Sequence, residues 1–439
     1  MNCEALFGRL EIVDQTTSKA WQDLFPGLIV QPAMSLTNTV VTCRRCQARY
    51  SKKSVQLPSG TYYCPTCLLL GRVCSNEYLV SLPEKNHFTG PTELTWRGTL
   101  TPAQTEAAEM IKQIFKQHRQ HLLWAVTGAG KTEMLFPGLF AALSQGKRVA
   151  IASPRIDVCL ELLPRLQQAF AQTEIMLLYG DQPEPYHYTQ FVLCTTHQLL
   201  RFYQAFDVLV IDEVDAFPFA QDQQLHFAVQ QARKTISACL YLTATPGPAL
   251  LQQVRKGVLS LSYLPRRYHG HPLALPHCHL ALNWYKQLMK GRLPSVLNRL
   301  LKDKVQRQQS FLLFVPKIAL LKPLAKLLSN NFANLKFTTV YAADPKRAEK
   351  VQAMRQEKLT ALLTTTILER GVTFKNIEVI VLGSDDSVFT TSALVQMAGR
   401  VGRHRDYPTG RVDFICAGYS CAMKQATKQI KQINQKAGF

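Results

Sequence analysis

The sequence predicts an α/β protein with two doubly wound parallel-sheet lobes, preceded by a small four-cysteine module. Three observations predict it. Short buried-strand candidates alternate with helix-length amphipathic stretches through two successive blocks. The first of these blocks opens on a strand, a glycine-rich loop carrying a lysine, and an apolar helix. Two Cys-x-x-Cys pairs stand ahead of both blocks. Alternation of this kind means parallel sheets with helices on both faces, and 439 residues exceed what one hydrophobic core supports.

In the first block the strand candidates are Leu122–Val126, Arg148–Ala152, Phe191–Thr195, Val208–Ile211 and Cys239–Leu242. A Pro/His/Arg-rich stretch, Leu264 to His279, then breaks the pattern. It resumes with Ser310–Val315, Lys336–Tyr341, Ala361–Thr365, Val379–Leu382 and Val412–Cys416. The expected organisation is an N-terminal cysteine module over residues 1–90, a first lobe over 91–263, a connection over 264–288, a second lobe over 289–423 and a basic tail over 424–439. In the tail, Ile430 and Ile433 among lysines fit either an amphipathic helix or a frayed end.

Hydrophobic residues make up 46% of the chain and charged ones 18%, a folded rather than disordered balance. The formal charge of +21 attracts polyanions, either nucleic acid or an anionic membrane surface. Residues Met1 to Asp14 lack the basic-then-apolar pattern of a secretory signal. No apolar run reaches the ~18–20 residues that span a bilayer; the closest, Phe311 to Leu328, is broken by Pro316, Lys317, Lys322, Pro323 and Lys326. A cytoplasmic protein is expected, in which 12 cysteines serve metal ligation or burial rather than disulfides.

The strand ending at Val126 leads into Thr127, Gly128, Ala129, Gly130, Lys131 and Thr132. Glycines at 128 and 130 let backbone N–H groups turn inward as an anion cradle, at which the following helix points its positive end. Lys131 is expected on the β/γ-phosphates of ATP and Thr132 on Mg²⁺. Ala125 stands where the common pattern has its first glycine. Val208–Ile211 ends in Asp212, Glu213, Val214 and Asp215; Asp212 at a neighbouring strand end suits Mg²⁺, and Glu213 suits polarising water. Upstream, Thr101 caps a helix with Pro102 at its first position, and Gln104 carries the donor and acceptor that match an adenine edge.

Cys43-x₂-Cys46-x₁₇-Cys64-x₂-Cys67 has zinc-knuckle spacing. Four thiolates leave no open position, so the zinc is expected to be structural, with an iron–sulfur cluster as the alternative. Cys74 is read as a free thiol, with a fifth or substitute ligand as the alternative. Arg44, Arg45, Arg49, Tyr50, Lys52, Lys53, Tyr62, Tyr63 and Arg72 interleave charge with rings, as single-stranded nucleic acid requires. The same pattern fits a solvated ribbon with tyrosines packed beneath it.

Further motifs follow in order: Ser153-Pro-Arg155, Thr243-Ala-Thr245, Thr365 through Gly371 to Thr373, and Gln396-Met-Ala-Gly-Arg400-Val-Gly-Arg403. Over roughly residues 96–405 the set resembles the superfamily 2 helicases, whose lobes are RecA-like. By that resemblance Gln104 reads adenine, Gly371 joins the nucleotide site, and Gln396, Arg400 and Arg403 face the phosphates, the arginines stabilising charge on the γ-phosphate. The resemblance also implies that Ser153, Arg155, Thr195, Thr196 and Thr365 grip a sugar-phosphate backbone, while Thr243 and Thr245 couple nucleotide to nucleic acid. For His197 a packed or capping role competes with a contact.

A four-cysteine module ahead of this motor, with the phrases Ala152–Cys159, Thr195–Leu200 and Leu368–Thr373, is similar to the ComFA family of late-competence ATPases. That resemblance implies an ATPase stimulated by single-stranded DNA, working at the inner face of the membrane with the channel ComEC, with ComFC and with DprA. A PriA-like restart helicase, a DEAD-box-type RNA helicase, and a zinc-bearing adaptor that uses ATP as a switch are the alternatives.

Overall fold

The computed structural model describes residues 3–88, 90–180, 182 and 184–439. Met1, Asn2 and Thr89, which belong to the expected N-terminal region, lie outside the described residues, as do Asp181 and Pro183. The chain divides into two compact units: residues up to 124 together with 131–263, and residues 125–130 together with 264–439.

The first unit begins with short strands β1 (Glu11–Val13), β2 (Ile29–Pro32), β3 (Met34–Leu36), β4 (Val40–Cys43), β5 (Arg49–Ser51) and β6 (Tyr78–Ser81). They form two antiparallel three-stranded sheets, ordered β1-β6-β2 and β3-β4-β5. A larger sheet follows, built from β7 (Gln120–Ala125), β8 (Val149–Ser153), β9 (Ile175–Leu178), β10 (Phe191–Thr195), β11 (Phe206–Ile211), β12 (Arg233–Thr243) and β13 (Ser260–Leu264). Its order is β13-β7-β12-β11-β8-β10-β9, and every pairing from β7 through β9 is parallel. Residues 208–211 and 191–194 are fully buried, as central strands covered on both faces must be.

All five expected strands of this sheet are present. The two that the sequence does not announce, β9 and β13, are the edges, where a half-buried or exposed pattern replaces the continuous apolar run. Strand order also corrects one expectation. β11, which carries Asp212, does not neighbour β7; β12 lies between them. Registers pair Thr195 with Ser153, Ile211 with Ala152, and Thr243 with Trp124, so the motif-bearing strand ends share one edge of the sheet.

The N-terminal sheets are fastened to this one by Arg148, a fully buried side chain at the start of β8. Its guanidinium donates to Glu84 Oε2 (2.5 Å), Tyr186 Oη (2.7 Å), and the carbonyls of Phe7 (2.9 Å) and Thr189 (3.1 Å). A charge taken out of water is tolerable only with this degree of pairing.

The second unit holds β14 (Pro276–Leu280), β15 (Phe311–Phe314), β16 (Phe337–Val340), β17 (Ala361–Thr364), β18 (Glu378–Leu382) and β19 (Val412–Cys416). They make one parallel sheet in the order β14-β19-β18-β15-β17-β16. Leu297, Leu300, Leu301, Leu324 and Leu328 pack on Phe311, Leu313 and Ile380 as its core. β14 falls inside the stretch expected to be a connection. A Pro/His-rich strand is tolerated there because an edge position leaves half of its backbone groups without a ladder partner to satisfy. The C-terminal residues form a helix, Cys421–Lys436, capped by Ser420 and burying Met423, Ala426, Ile430 and Ile433. Among the described residues no helix is long and apolar enough to cross a membrane; Phe311 to Leu328 is divided between β15 and the helix Leu321–Asn331.

Candidate functional site

The phosphate loop leaves β7 at Ala125 and enters the helix Lys131–Leu143. Gly128 and Gly130 sit at φ of 81° and 76°, backbone that side chains resist and glycine adopts freely. Thr127 is buried and its hydroxyl has no hydrogen-bond partner among the described residues. Left-handed glycines, a buried hydroxyl of this kind, and Lys131 and Thr132 at a helix start are the donor set a triphosphate requires.

At the end of β11, Asp212 Oδ1 accepts the Glu213 N–H at 2.8 Å, while the Asp212 N–H donates to Ala152 O at 2.8 Å. Glu213 has φ of 53°, a left-handed conformation that costs a non-glycine residue about 1–2 kcal/mol. The Ala216 N–H donates back to Glu213 O at 2.8 Å and closes the turn. The Asp212 carboxylate is thereby held against the Glu213 N–H, and the backbone of the turn that carries both acids is fixed by hydrogen bonds at each end.

Asp215, to which the sequence assigns no role, organises the rest. Thr243 donates to its Oδ1 at 2.6 Å, Thr245 donates to Oδ2, and the Thr245 N–H donates to Thr243 Oγ1 at 2.9 Å. Trp124 Nε1 donates to Ala244 O at 3.0 Å. Both threonines are buried, so their hydroxyls face Asp215 rather than solvent. Gln104 likewise plays a local part, because its side-chain oxygen accepts the Thr101 N–H at 2.9 Å as half of a capping box.

In the second unit, Thr365 is half-buried ahead of the short 3₁₀ turn Thr366–Glu369, and Gly371 has φ of 69°. Gln396 is buried on the helix Thr391–Ala398. Arg400 is buried and donates to Glu369 O at 3.0 Å and to Val372 O. Arg403, half-buried, donates to Gly399 O at 2.9 Å. Arg267, from the expected connection, is a residue the sequence gives no means of finding. It is buried and donates to the carbonyls of Thr127 (3.2 Å), Gly399 (3.1 Å), Val401 (2.8 Å) and Gly402 (2.7 Å). Burial and the nearby Arg403 both push its pKa down, and the four carbonyls offset that cost.

The four cysteines of the N-terminal module come together. Sγ atoms of Cys43, Cys46, Cys64 and Cys67 all lie within 4.8 Å of one another and are buried. Cys43–Cys67 is 3.9 Å and Cys46–Cys64 is 3.6 Å, against edges of about 3.8 Å for a tetrahedron with ~2.3 Å zinc–sulfur arms. The donor set fits zinc in a closed, structural site. The other three thiols hold Cys67 below the ordinary thiol range, with Arg45 adding to the effect. Cys74 is not among the four. Arg45 departs from the expected solvent-facing role: it is buried, with Nε 3.4 Å from Cys67 Sγ. Tyr50, Tyr62 and Tyr63 pack partly buried against the module's core, the arrangement of a ribbon with tyrosines beneath it.

Residues 101–254 match the DEAD/DEAH box helicase family and residues 292–405 the helicase conserved C-terminal domain. The chain is 41% identical over 414 residues to competence protein ComFA of Bacillus subtilis, covering 93% of this chain and 89% of that one. It is 42% identical over 408 residues to competence protein ComFA of Streptococcus pneumoniae, covering 93% and 94%. The chain belongs to the ComFA family. It is a helicase-like enzyme of competence that hydrolyses ATP, uses Mg²⁺ and binds nucleic acid. Among solved structures, the L327V variant of S. cerevisiae Dbp5 bound to RNA and ADP BeF3 aligns at a TM-score of 0.56 and 15% identity, covering 76% of this chain and 91% of that one. DEAD-box helicase Mss116 aligns at 0.56 and 16%, covering 72% and 69%. The shared fold is that of two RecA-like lobes.

Of the residues expected on nucleic acid in this ComFA chain, Ser153 is fully buried and its hydroxyl accepts the Arg155 N–H at 3.4 Å. Arg155 and Thr195 are half-buried at their strand ends. Thr196 is fully buried, with a hydroxyl that lacks a partner among the described residues. His197 is half-buried, and burial pushes its pKa down.

Proposed function

We propose that this protein is an ATP-driven motor on single-stranded DNA that helps draw transforming DNA into the cell. The observation that carries the reading is the gathering of four features on one edge of a single parallel sheet. These are the β7 end that feeds the phosphate loop, the Asp212–Asp215 turn, Thr243–Thr245, and the ends of β8 and β10. A net charge of +21 supports a polyanionic substrate, and the two competence relatives support incoming DNA as its source.

In this reading ATP supplies the hydrolysable phosphoryl bond. Gly128, Gly130 and Lys131 hold its phosphates, and Thr132 and Asp212 hold Mg²⁺. Glu213 orients and deprotonates water; Gln396, Arg400 and Arg403 act on the γ-phosphate. Asp215 carries changes at the carboxylate turn to Thr243 and Thr245. Arg155, Thr195 and Thr365, the half-buried members of the set, contact the strand's phosphates without reading its bases, while the fully buried Ser153 and Thr196 shape the strand ends from beneath. Zinc in the four-cysteine site is structural, and ComEC, ComFC and DprA are the protein partners that family membership leads us to expect.

ATPase rates of the purified protein, measured alone and with single-stranded DNA, duplex DNA or RNA, test the proposal. Stimulation is expected to be greatest with single-stranded DNA and to vanish in Lys131→Ala. Equal rates with and without nucleic acid contradict a translocase, and preferential stimulation by RNA contradicts DNA as the substrate.

A further inference from the structure

We infer that Arg201 is a positioning residue through which the metal module holds the segment Thr196–Arg201 ready for nucleic acid. The inference rests on the proposed reading that the end of β10 grips single strands. Its basis is a junction at one backbone carbonyl. Leu70 O accepts Arg45 Nη1 at 3.3 Å from within the metal module and Arg201 Nη2 at 3.0 Å from the large sheet. A carbonyl has two lone pairs, and both are used here by guanidinium donors.

Each side of the junction is rigidly anchored. Arg45 lies inside the Cys43-x₂-Cys46 pair and is fully buried; besides Leu70 O it donates to Cys67 O at 3.1 Å and Gly71 O at 2.6 Å, with Cys67 Sγ at 3.4 Å. It therefore binds the loop after Cys67 into the shape that the four sulfurs require. Arg201 ends the 3₁₀ turn that starts at Thr196, directly after β10. Its backbone is held as well, since Leu10 N–H donates to Arg201 O at 2.8 Å. The apolar side chains of this turn, Leu199 and Leu200, share one core with Cys43, Cys46, Cys64, Cys67 and Leu70.

Arg201 has no second side-chain hydrogen bond to fall back on among the described residues, and its Nε is buried without a partner. Should the Cys64–Leu70 loop relax, the Leu70 carbonyl moves and a largely buried guanidinium is left unsatisfied. That state is costly, so the turn must rearrange with it. Because Thr195 and Thr196 begin the turn, the metal site controls the geometry of a strand-gripping edge without touching the phosphate loop. This gives the zinc a role beyond holding its own small sheet together.

Full-length Arg201→Met and Arg201→Lys proteins, and the wild type before and after chelation of its zinc, test the inference by four readouts. These are bound zinc, hydrogen exchange over residues 195–203, affinity for a fluorescent oligo-dT without nucleotide, and ATP turnover without nucleic acid. Arg201→Met should keep its zinc and its unstimulated turnover, exchange faster over 195–203, and bind oligo-dT about tenfold more weakly. Arg201→Lys should recover part of that affinity, and chelated wild type should show the same local exchange. Wild-type exchange and affinity in Arg201→Met overturn the inference. So does protection over 195–203 that survives zinc removal, an arm that decides the matter even when Arg201→Met does not fold. A wild type that binds no oligo-dT refutes the motor reading instead, while the exchange measurements still decide the coupling.

Discussion

Thr243 donates a 2.6 Å hydrogen bond to Asp215, which fastens the turn that ends β12 to the turn that ends β11. Thr245 takes the second carboxylate oxygen, so one side chain joins the expected coupling motif to the run that begins with Asp212. In Thr243→Ala/Thr245→Ala the phosphate loop is untouched but this link is gone. Turnover with single-stranded DNA should fall about tenfold while the KM for ATP stays within about twofold. Steady-state kinetics with and without DNA check it; equal losses in both conditions would mean that the link serves hydrolysis alone.

Glu84 and Arg148 form an ion pair in which both side chains are fully buried. Glu84→Gln removes the charge and leaves Arg148 buried without it, at an expected cost of about 3–5 kcal/mol. Glu84→Gln/Arg148→Met should cost less than the sum of the single changes. Denaturant midpoints of the three variants measure this, and strict additivity would show that the pair is not coupled.

His121, buried beside Ser260, has its pKa pushed down to about 4 by burial. The unfolded imidazole takes up its proton near pH 6.5, whereas the folded one remains neutral. Its contribution is therefore fully present above about pH 6.5 and is lost as pH falls toward 4, by at most roughly 3 kcal/mol. Unfolding midpoints from pH 7 to 4 should drop less steeply in His121→Gln. Identical slopes would contradict the assignment.

Cys43→Ser/Cys46→Ser should lose the zinc. Because these sulfurs share a core with Leu199, Phe202 and Phe206, the damage should reach the large sheet. Metal analysis and thermal unfolding check both parts, since structural metal energy is folding energy. Full metal content in this variant would overturn the ligand set.

Local signals were enough for much of this molecule. Consecutive apolar residues such as Val208–Ile211 marked each central strand, and glycine spacing marked the phosphate loop. Cysteine spacing marked four sulfurs that do converge in a cluster able to hold a metal ion. What escaped depends on contacts between distant residues. Nothing near Arg45 says that it points inward at Cys67 rather than outward at DNA, and Arg267 gains its meaning from carbonyls more than 130 positions away. β14 hid in a Pro/His-rich stretch because edge strands need no continuous apolar run. The placing of β12 between β7 and β11 is a matter of strand order, which no local pattern encodes.

Everything proposed for this motor depends on ATP hydrolysis driving movement along a single strand. Displacement of streptavidin from a biotin-ended single-stranded oligonucleotide measures that movement without requiring duplex unwinding. Displacement should need ATP and should be lost in Lys131→Ala and in Glu213→Gln. Displacement at the same rate with and without ATP, or none by a protein whose ATPase the same oligonucleotide stimulates, would rule such movement out.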